Sequence, residues 1–343
     1  MKTSYNEADV KVLLKDITGQ ILPLNSKERE IQIQNGKHYS ELLPFEYNPT
    51  EEYLNLYNKC LAENALVTAK SVMILAEKIY LKKGENITLV SLARAGTPIG
   101  ILLKRYFKFK YNISVEHYSI SIIRDKGIDR NAMEYILKNH SADSIQFVDG
   151  WIGKGAISKE LDQIGYENID TELAVLADPA NVTSLFGTRE DFLIPSSILN
   201  APVSGLFSRT ILNDDLILKD DFHGAVFYKD MIDVSNEFIA KIEQNFTLEP
   251  VEILEKEKIQ TGLEEVLEIQ KEFNVLDINL IKPSIGETTR VLMRRQPDLV
   301  LISEENHYIT HILKLCEEKN VKVIKYPLKN YRAVGIIKNL KDI

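Results

Sequence analysis

A glycine-rich turn follows an apolar stretch at residues 144–161 and has the residue types that bind phosphate groups. The predicted ligand contacts are Asp149, Gly150, Gly153, Lys154, Gly155 and Ala156. Glycines let main-chain N–H groups converge on an anion, and the helix predicted to follow adds partial positive charge behind them. Lys154 adds a full positive charge. The pattern fits neither a P-loop nor a dinucleotide fingerprint, and an ordinary strand-to-helix turn remains the alternative.

A second turn of the same kind lies about 50 residues earlier, within residues 87–103. Its predicted ligand contacts are Arg94, Ala95, Gly96 and Thr97. Thr97 suits a helix N-cap and Pro98 suits the first helical position. Two phosphate-compatible turns, each after an apolar strand, indicate one binding site more strongly than either turn alone.

These turns require a sheet that brings their strands together. The chain has 343 residues, of which 44% are hydrophobic, which is enough for one large and one small domain. A strongly helical stretch at 50–82 precedes the first turn, and an alternating strand at 113–123 lies between the two turns. The sequence therefore predicts an α/β fold with a parallel sheet flanked by helices, preceded by an N-terminal strap or hood over residues 1–50.

The two turns in this order resemble type I phosphoribosyltransferases. In that comparison Asp149 falls on the acid that meets the ribose hydroxyls, and Gly150 replaces the usual second acid. The charged segment 124–130 falls where that class carries its mobile catalytic loop, so the resemblance assigns catalytic pyrophosphate contacts to Arg124 and Lys126. It implies a phosphoribosyltransferase that uses phosphoribosyl pyrophosphate and a nucleobase-like nitrogenous acceptor, with Mg²⁺ held largely by substrate oxygens.

A segment dense in small and hydroxyl residues, 195–210, is a candidate lining for the acceptor pocket. Asn200 and Arg209 are its side chains able to bind a polar ligand. A well-packed structural loop is the equal alternative.

The chain has two cysteines, Cys60 and Cys316, each in an apolar helical context. Their separation argues against a disulfide framework or a cysteine zinc site, and no protein metal ligands are predicted. A catalytic thiol needs a paired histidine, and the sequence identifies none, so core packing is favoured for Cys60.

The C-terminal part is basic on an otherwise acidic chain. Residues 282–343 hold twelve lysines and arginines against seven acids, a net charge of +5, whereas the whole chain carries −8. The region around residue 286 resembles the RNA-binding domain of pelota and of kink-turn-binding ribosomal proteins. The resemblance assigns RNA contacts to Gly286, Glu287, Arg290, Arg294 and Arg295. Phosphate contacts by the arginines are expected, and a protein-binding or purely structural module is the alternative.

The order of these parts resembles a bacterial family associated with tellurium-resistance gene clusters, some of whose members are labelled cysteine protease StiP. The resemblance implies a role in making or modifying a nucleotide-like metabolite under stress. A non-catalytic nucleotide- and RNA-binding regulator is the first alternative, and a cysteine protease is the second. The predicted domains are a phosphoribosyltransferase-like body at 1–245, a helical connector at 246–275 and a pelota-like domain at 276–343.

Cellular location follows from what the chain lacks. No apolar run approaches the roughly 20 residues that span a bilayer, and the polar start has no signal-peptide core. The expectation is a cytoplasmic protein without a membrane partner, and a homodimer is left open.

Overall fold

Strands β3 (Thr88–Leu92) and β7 (Ile145–Trp151) form the centre of the main sheet, because both are apolar runs buried along most of their length. The computed structural model describes residues 1–251 and 260–338, without the side chains of Ser26, Lys27, Glu30, Gln34 and Arg294.

The remaining strands are β1 Lys11–Val12, β2 Lys15–Asp16, β4 Glu116–Ile120, β5 Ile122–Ile123, β6 Gly127–Ile128, β8 Ala174–Ala177, β9 Phe186–Thr188, β10 Gly224–Ala225, β11 Ile281–Pro283, β12 Pro297–Ile302, β13 Lys322–Lys325 and β14 Ala333–Ile337. The helices are α1 Ser26–Gln34, α2 Glu51–Lys83, α3 Gly96–Tyr111, α4 Arg130–Leu137, α5 Ala156–Leu161, α6 Ser235–Glu243, α7 Gly262–Glu272, α8 Ile285–Arg294 and α9 Thr310–Glu318.

The main sheet has the strand order β1-β4-β3-β7-β8-β9, and every neighbouring pair in it is parallel. Along the chain, β3 is followed by β4 on one side and later by β7 on the other. The strand order therefore reverses at β3, and ligands of open α/β sheets bind in the crevice at such a reversal. The predicted parallel sheet with flanking helices is confirmed.

Helices cover both faces of this sheet, and successive strand residues point to opposite faces. Leu89 and Val148 belong to one apolar cluster with α2, α3 and α6, while Val90 and Phe147 belong to a second cluster with α4. Helix α2 begins where the hydroxyl of Thr50 accepts a hydrogen bond from the main chain of the first turn. It follows the predicted helical stretch closely.

A small C-terminal domain forms a four-stranded mixed sheet in the order β11-β14-β12-β13. Helix α7 covers one face through Val266 and Ile269. Helices α8 and α9 cover the other face, and their apolar residues Leu292 and Ile312 belong to the same cluster as the body helix α2. One apolar core therefore runs through both domains.

Polar contacts also fix the small domain on the body. The buried Asp191 carboxylate accepts hydrogen bonds from the main-chain N–H of Ile285, at 2.9 and 3.1 Å, and of Arg332, at 2.9 Å. The first of these contacts lies at the start of α8, where a negative charge is favourable. The small domain thus sits over the carboxyl ends of the main-sheet strands.

Candidate functional site

The two predicted turns meet at the carboxyl edge of the main sheet. The turn after β3 leads into α3, and a Cβ atom on Gly96 would overlap the carbonyl oxygen of Val148 in β7. Only glycine permits this approach. The structure therefore brings Ala95 and Gly96 beside Asp149 and Gly150, as the parallel sheet requires. Thr97 is instead buried within α3, with its hydroxyl 2.7 Å from that of Ser119, and the prediction that it is the N-cap is wrong because the helix already begins at Gly96.

The second turn is covered by the small domain. Tyr331 donates a hydrogen bond to the carbonyl oxygen of Gly153 at 2.6 Å, and the Lys154 ammonium donates to the carbonyl oxygens of Ile278 and Ile281 at 2.7 and 3.3 Å. Burial lowers the pKa of Lys154 to about 8. The groups predicted to hold a phosphate thus contact the chain itself, and a ligand role for the turn residues 153–156 stays a prediction.

Arg94 in the first turn is also engaged. Its guanidinium forms an ion pair with Glu46 at 2.7 Å and donates a hydrogen bond to the carbonyl oxygen of Phe207 at 3.0 Å. Both partners belong to segments that cross over the sheet edge. Arg94 therefore holds the N-terminal region and residue 207 together, and contact with a ligand stays a prediction for it.

Asp149 lies at the strand end with an unusual protonation equilibrium. Its carboxylate accepts a hydrogen bond from the N–H of Gly150 at 2.7 Å. Burial raises its pKa to about 7, against the opposing effects of that hydrogen bond and of the Arg290 charge. A carboxyl that titrates near neutral pH beside a cleft is a typical feature of functional sites.

A small cavity of about 50 Å³ opens beside these turns. Arg94 and Asn200 line it from the body, and Arg290 lines it from the small domain. Asn200 therefore lies at the cleft, and its role as a ligand contact stays a prediction.

Positive side chains from both domains collect around this junction. We call them the cation cluster, which consists of Arg124, Lys154, Arg209, Lys282, Arg290 and Arg295. The charges of Arg124, Arg290 and Arg295 act on Lys282, and the charge of Arg295 acts on Arg209 as well. Charges of the cluster in one domain thus act on members of the cluster in the other domain.

Tyr39 lies between two members of the cation cluster. The guanidinium of Arg209 is 4.5 Å from the ring centroid, and that of Arg124 is 5.8 Å from it. The Tyr39 hydroxyl accepts a hydrogen bond from the main-chain N–H of Arg124 at 3.0 Å. Arg124 also donates to the side chain of Asn279 at 3.1 Å, across the domain junction. Lys126, in the same loop, is exposed.

Among the described residues, two half-buried members of the cation cluster have neither a matching acid nor a hydrogen-bonded carbonyl group. Within residues 1–251 and 260–338, neither Arg209 nor Lys282 forms an ion pair with a carboxylate. Burial lowers the pKa of Arg209 to about 10 and also lowers the pKa of Lys282. Lys282 and Tyr39 were not predicted as site residues from the sequence. A lysine next to the predicted RNA helix was the only available signal for Lys282.

The residues assigned to RNA contact face the body as well as solvent. Gly286 is buried, and a Cβ atom on it would lie 3.3 Å from the hydroxyl oxygen of Ser197 in the body. Glu287 pairs with Arg290 at 3.0 Å, and Arg295 is exposed. The side chain of the predicted contact Arg294 lies outside the described part of the chain.

Neither cysteine has the surroundings of a nucleophile. The Cys60 thiol is buried and points to the carbonyl oxygen of Leu193 at 3.5 Å, with the Asn64 amide at 3.5 Å on the other side. Burial raises the pKa of Cys60 far above its usual range and that of Cys316 to about 11. In the described residues, no hydrogen bond joins either sulfur to a histidine. Catalytic thiols instead need a lowered pKa.

The fold and site define a two-domain α/β protein with a cationic junction at the edge of a parallel sheet. Residues 3–243 match the family described as "Tellurite-like stress resistance cysteine protease StiP", and residues 260–339 match the "PELOTA RNA binding domain". The chain belongs to the StiP family. It is 35% identical over 364 residues to "Cysteine protease StiP" of Acinetobacter baylyi, covering 98% of this chain and 94% of that relative.

No solved structure matches the chain. Among the helices of the described residues, none has the length and hydrophobicity needed to cross a membrane. The small domain that the sequence resemblance identified is confirmed as a pelota-type RNA-binding domain, and the link to tellurium-type stress resistance is also confirmed.

The prediction of a phosphoribosyltransferase is wrong, because the family and the curated relative are both named cysteine protease StiP. Without that activity, there is no basis for assigning Arg124 and Lys126 a role in phosphoribosyl transfer. The same holds for phosphoribosyl pyrophosphate and a nitrogenous acceptor as ligands. The physical reason is that a glycine-rich turn after a strand shows where an anion could fit, whereas here Lys154 and Gly153 contact the small domain. The Mg²⁺ expectation stays a prediction.

Proposed function

We propose that this chain binds RNA through its pelota-type domain, as part of the stress response for which its family is named. The match of residues 260–339 to a PELOTA RNA-binding domain is the observation that carries the proposal. The +5 net charge of residues 282–343 supports it, since phosphate neutralisation supplies much of the affinity of such domains.

The position of the basic residues adds a second line of support. Arg290 and Arg295 lie on α8 and just after it, next to the junction with the body. Arg290 has an acid beside it, Glu287 at 3.0 Å, and this pair leaves its other guanidinium nitrogens for a phosphate oxygen. The main-chain N–H of Ile285 at the start of α8 already donates to Asp191. The arginines are therefore better placed than the helix N-terminus to contact RNA.

Equilibrium binding of the full chain to a fluorescent kink-turn RNA, measured over a range of salt concentrations, tests the proposal. Affinity should fall with salt, and Arg290→Gln with Arg295→Gln should reduce the log–log slope by roughly 0.7–0.9 for each phosphate that is no longer neutralised. Lys314→Gln with Lys322→Gln removes the same charge from two exposed positions outside the cation cluster and is the matched control. Absence of binding by the unmodified chain at low salt would overturn the proposal.

A second candidate function is the thiol peptidase activity in the family's name. Cys60 is the candidate nucleophile, because it lies within the matched residues 3–243, whereas Cys316 lies outside them. Its buried, neutral thiol would require a rearrangement that brings a histidine within hydrogen-bonding distance. The test is casein cleavage by the unmodified chain, Cys60→Ser and Cys316→Ser. Loss of cleavage in Cys60→Ser alone supports this candidate, and equal cleavage by all three removes it.

Two finer assignments belong with the proposal. We infer a type I phosphoribosyltransferase-like topology for the body, which the strand order β4-β3-β7-β8 supports and an experimental structure would test. This inference concerns the fold alone and carries no transferase activity. We also infer a cytoplasmic location, which an RNA ligand and two free thiols favour, and cell fractionation would test it.

A further inference from the structure

Arg209 is a half-buried cation that, among the described residues, is stabilised by an aromatic ring and not by an acid. Its guanidinium stacks on Tyr39 at 4.5 Å. The charged side chains that act on it, those of Arg29, Arg94 and Arg295, are all positive. Arg94 is already paired with Glu46. Holding a guanidinium in such a place is unfavourable unless an anion joins it.

Lys282 repeats this situation on the other side of the junction. It is half-buried between the positive charges of Arg295, Arg124 and Arg290. Glu287 is the acid that acts on it, and that acid forms its ion pair with Arg290 instead. Two unmatched cations from two domains thus lie near Arg295, whose charge acts on both.

Arg124 connects the two unmatched cations. Its guanidinium lies over the face of the Tyr39 ring at 5.8 Å and donates to Asn279 of the small domain at 3.1 Å. Acids close to this group of cations include Asp125, which pairs with Arg124 at 3.4 Å, Asp277, which acts on Lys154, and Glu287. None of these three pairs with Arg209 or Lys282, so an anion that entered here would find donors already in place.

We propose that Arg124 and Arg209 of the body form, with Lys282 and Arg295 of the small domain, one basic surface that contacts phosphates of the RNA backbone. RNA bound to the pelota-type domain would then extend across the junction and contact the body. The inference rests on the proposed RNA-binding function and adds to it a body surface that the pelota match does not include. Guanidinium groups favour this ligand because they donate paired hydrogen bonds to phosphate oxygens.

Binding of the full chain to the same kink-turn RNA tests the inference through Arg209→Gln and, separately, Lys282→Gln. Each change should weaken binding about three- to tenfold and reduce the salt slope by about 1, as expected for one phosphate contact. Arg130→Gln is the matched control, because Arg130 also stacks on a tyrosine ring, Tyr166 at 5.7 Å, but is not among the charges that act on Arg209 or Lys282. Arg209→Lys keeps the charge without the paired donors and should restore part of the slope.

The outcomes separate this inference from the function on which it rests. If the unmodified chain does not bind RNA, both fall. If it binds and Arg209→Gln matches Arg130→Gln, the body contact falls whatever Lys282→Gln does, because Lys282 belongs to the small domain. If Arg209→Gln shows a folding defect in its thermal melt, Arg124→Gln, in another segment of the body, is the test of the body contact.

Inorganic pyrophosphate provides the final arm, since a small free anion could use the same donors. Binding of pyrophosphate that is abolished in Arg209→Gln, with unchanged RNA affinity in that variant, would show a small-anion site and overturn the RNA assignment. Reduced RNA affinity in Arg209→Gln, with weak and variant-independent pyrophosphate binding, supports it.

Discussion

Arg94 and Arg209 lie near each other at the same sheet edge, yet their charges are in different states. Arg94 pairs with Glu46 at 2.7 Å, and the two side chains are 14% and 6% exposed. Arg209 has the ring of Tyr39 and no acid among the described residues. Both were predicted as ligand contacts from the sequence. The difference teaches that a motif locates a cation without showing whether the fold has already neutralised it.

The largest expected effect is the removal of the Arg94 charge. Arg94→Met should lower the free energy of unfolding by about 3–5 kcal/mol, because it leaves the buried Glu46 carboxylate without its partner. Arg209→Met should leave stability unchanged or raise it, because it removes an unmatched charge. Urea unfolding measures both, and Arg94→Met combined with Glu46→Gln should recover part of the stability. Equal decreases in the two single variants would refute the contrast.

The next largest effect concerns the acid that docks the small domain. Asp191→Asn should lower the free energy of unfolding by about 1–3 kcal/mol, because an amide can no longer accept from the N–H groups of both Ile285 and Arg332. Asp214→Asn, at an exposed position, is the control and should leave stability unchanged. A decrease no greater than that of the control would show that these hydrogen bonds contribute little.

The next expected effect is the dependence of stability on pH, to which Asp149, a second acid of the same region, should contribute. Folding raises the pKa of Asp149 from 3.8 to about 7, so the folded chain holds a proton there that the unfolded chain has released. Stability should therefore fall as pH rises from about 4 to about 7. Asp149→Asn should flatten this dependence, leaving the part due to Asp191, whose pKa burial also raises to about 7. An unchanged pH profile of urea unfolding would contradict the assignment.

The smallest expected effect is on the thiols. Because burial raises the pKa of both cysteines, Cys60 and Cys316 should remain unmodified by iodoacetamide at neutral pH until the chain unfolds. Mass spectrometry of the native and urea-unfolded chain measures this directly. Rapid native alkylation of Cys60 alone would instead favour the peptidase candidate.

The sequence predicted the local features, namely the strands and the turns that follow them, but it did not predict contacts between distant segments. Apolar runs before small-residue turns predicted β3 and β7, and the parallel sheet then followed. The contacts of Lys154 could not be predicted, because its acceptors at Ile278 and Ile281 lie more than 120 residues away. The predicted transferase failed for the same reason, since the shape of a turn is local whereas the group that occupies it comes from a distant segment.

The apolar cluster that passes from α2 into α8 and α9 has a mechanical consequence. Leu292 and Ile312 pack in one continuous core with residues of the body. Separating the two matched regions would therefore expose apolar surface on both of them. We therefore expect the two regions to unfold as one cooperative unit, with a single heat-absorption peak in calorimetry. A pelota-type domain packed in this way is held at a fixed orientation to the sheet edge, so it does not move independently of the body as a domain on a flexible linker would.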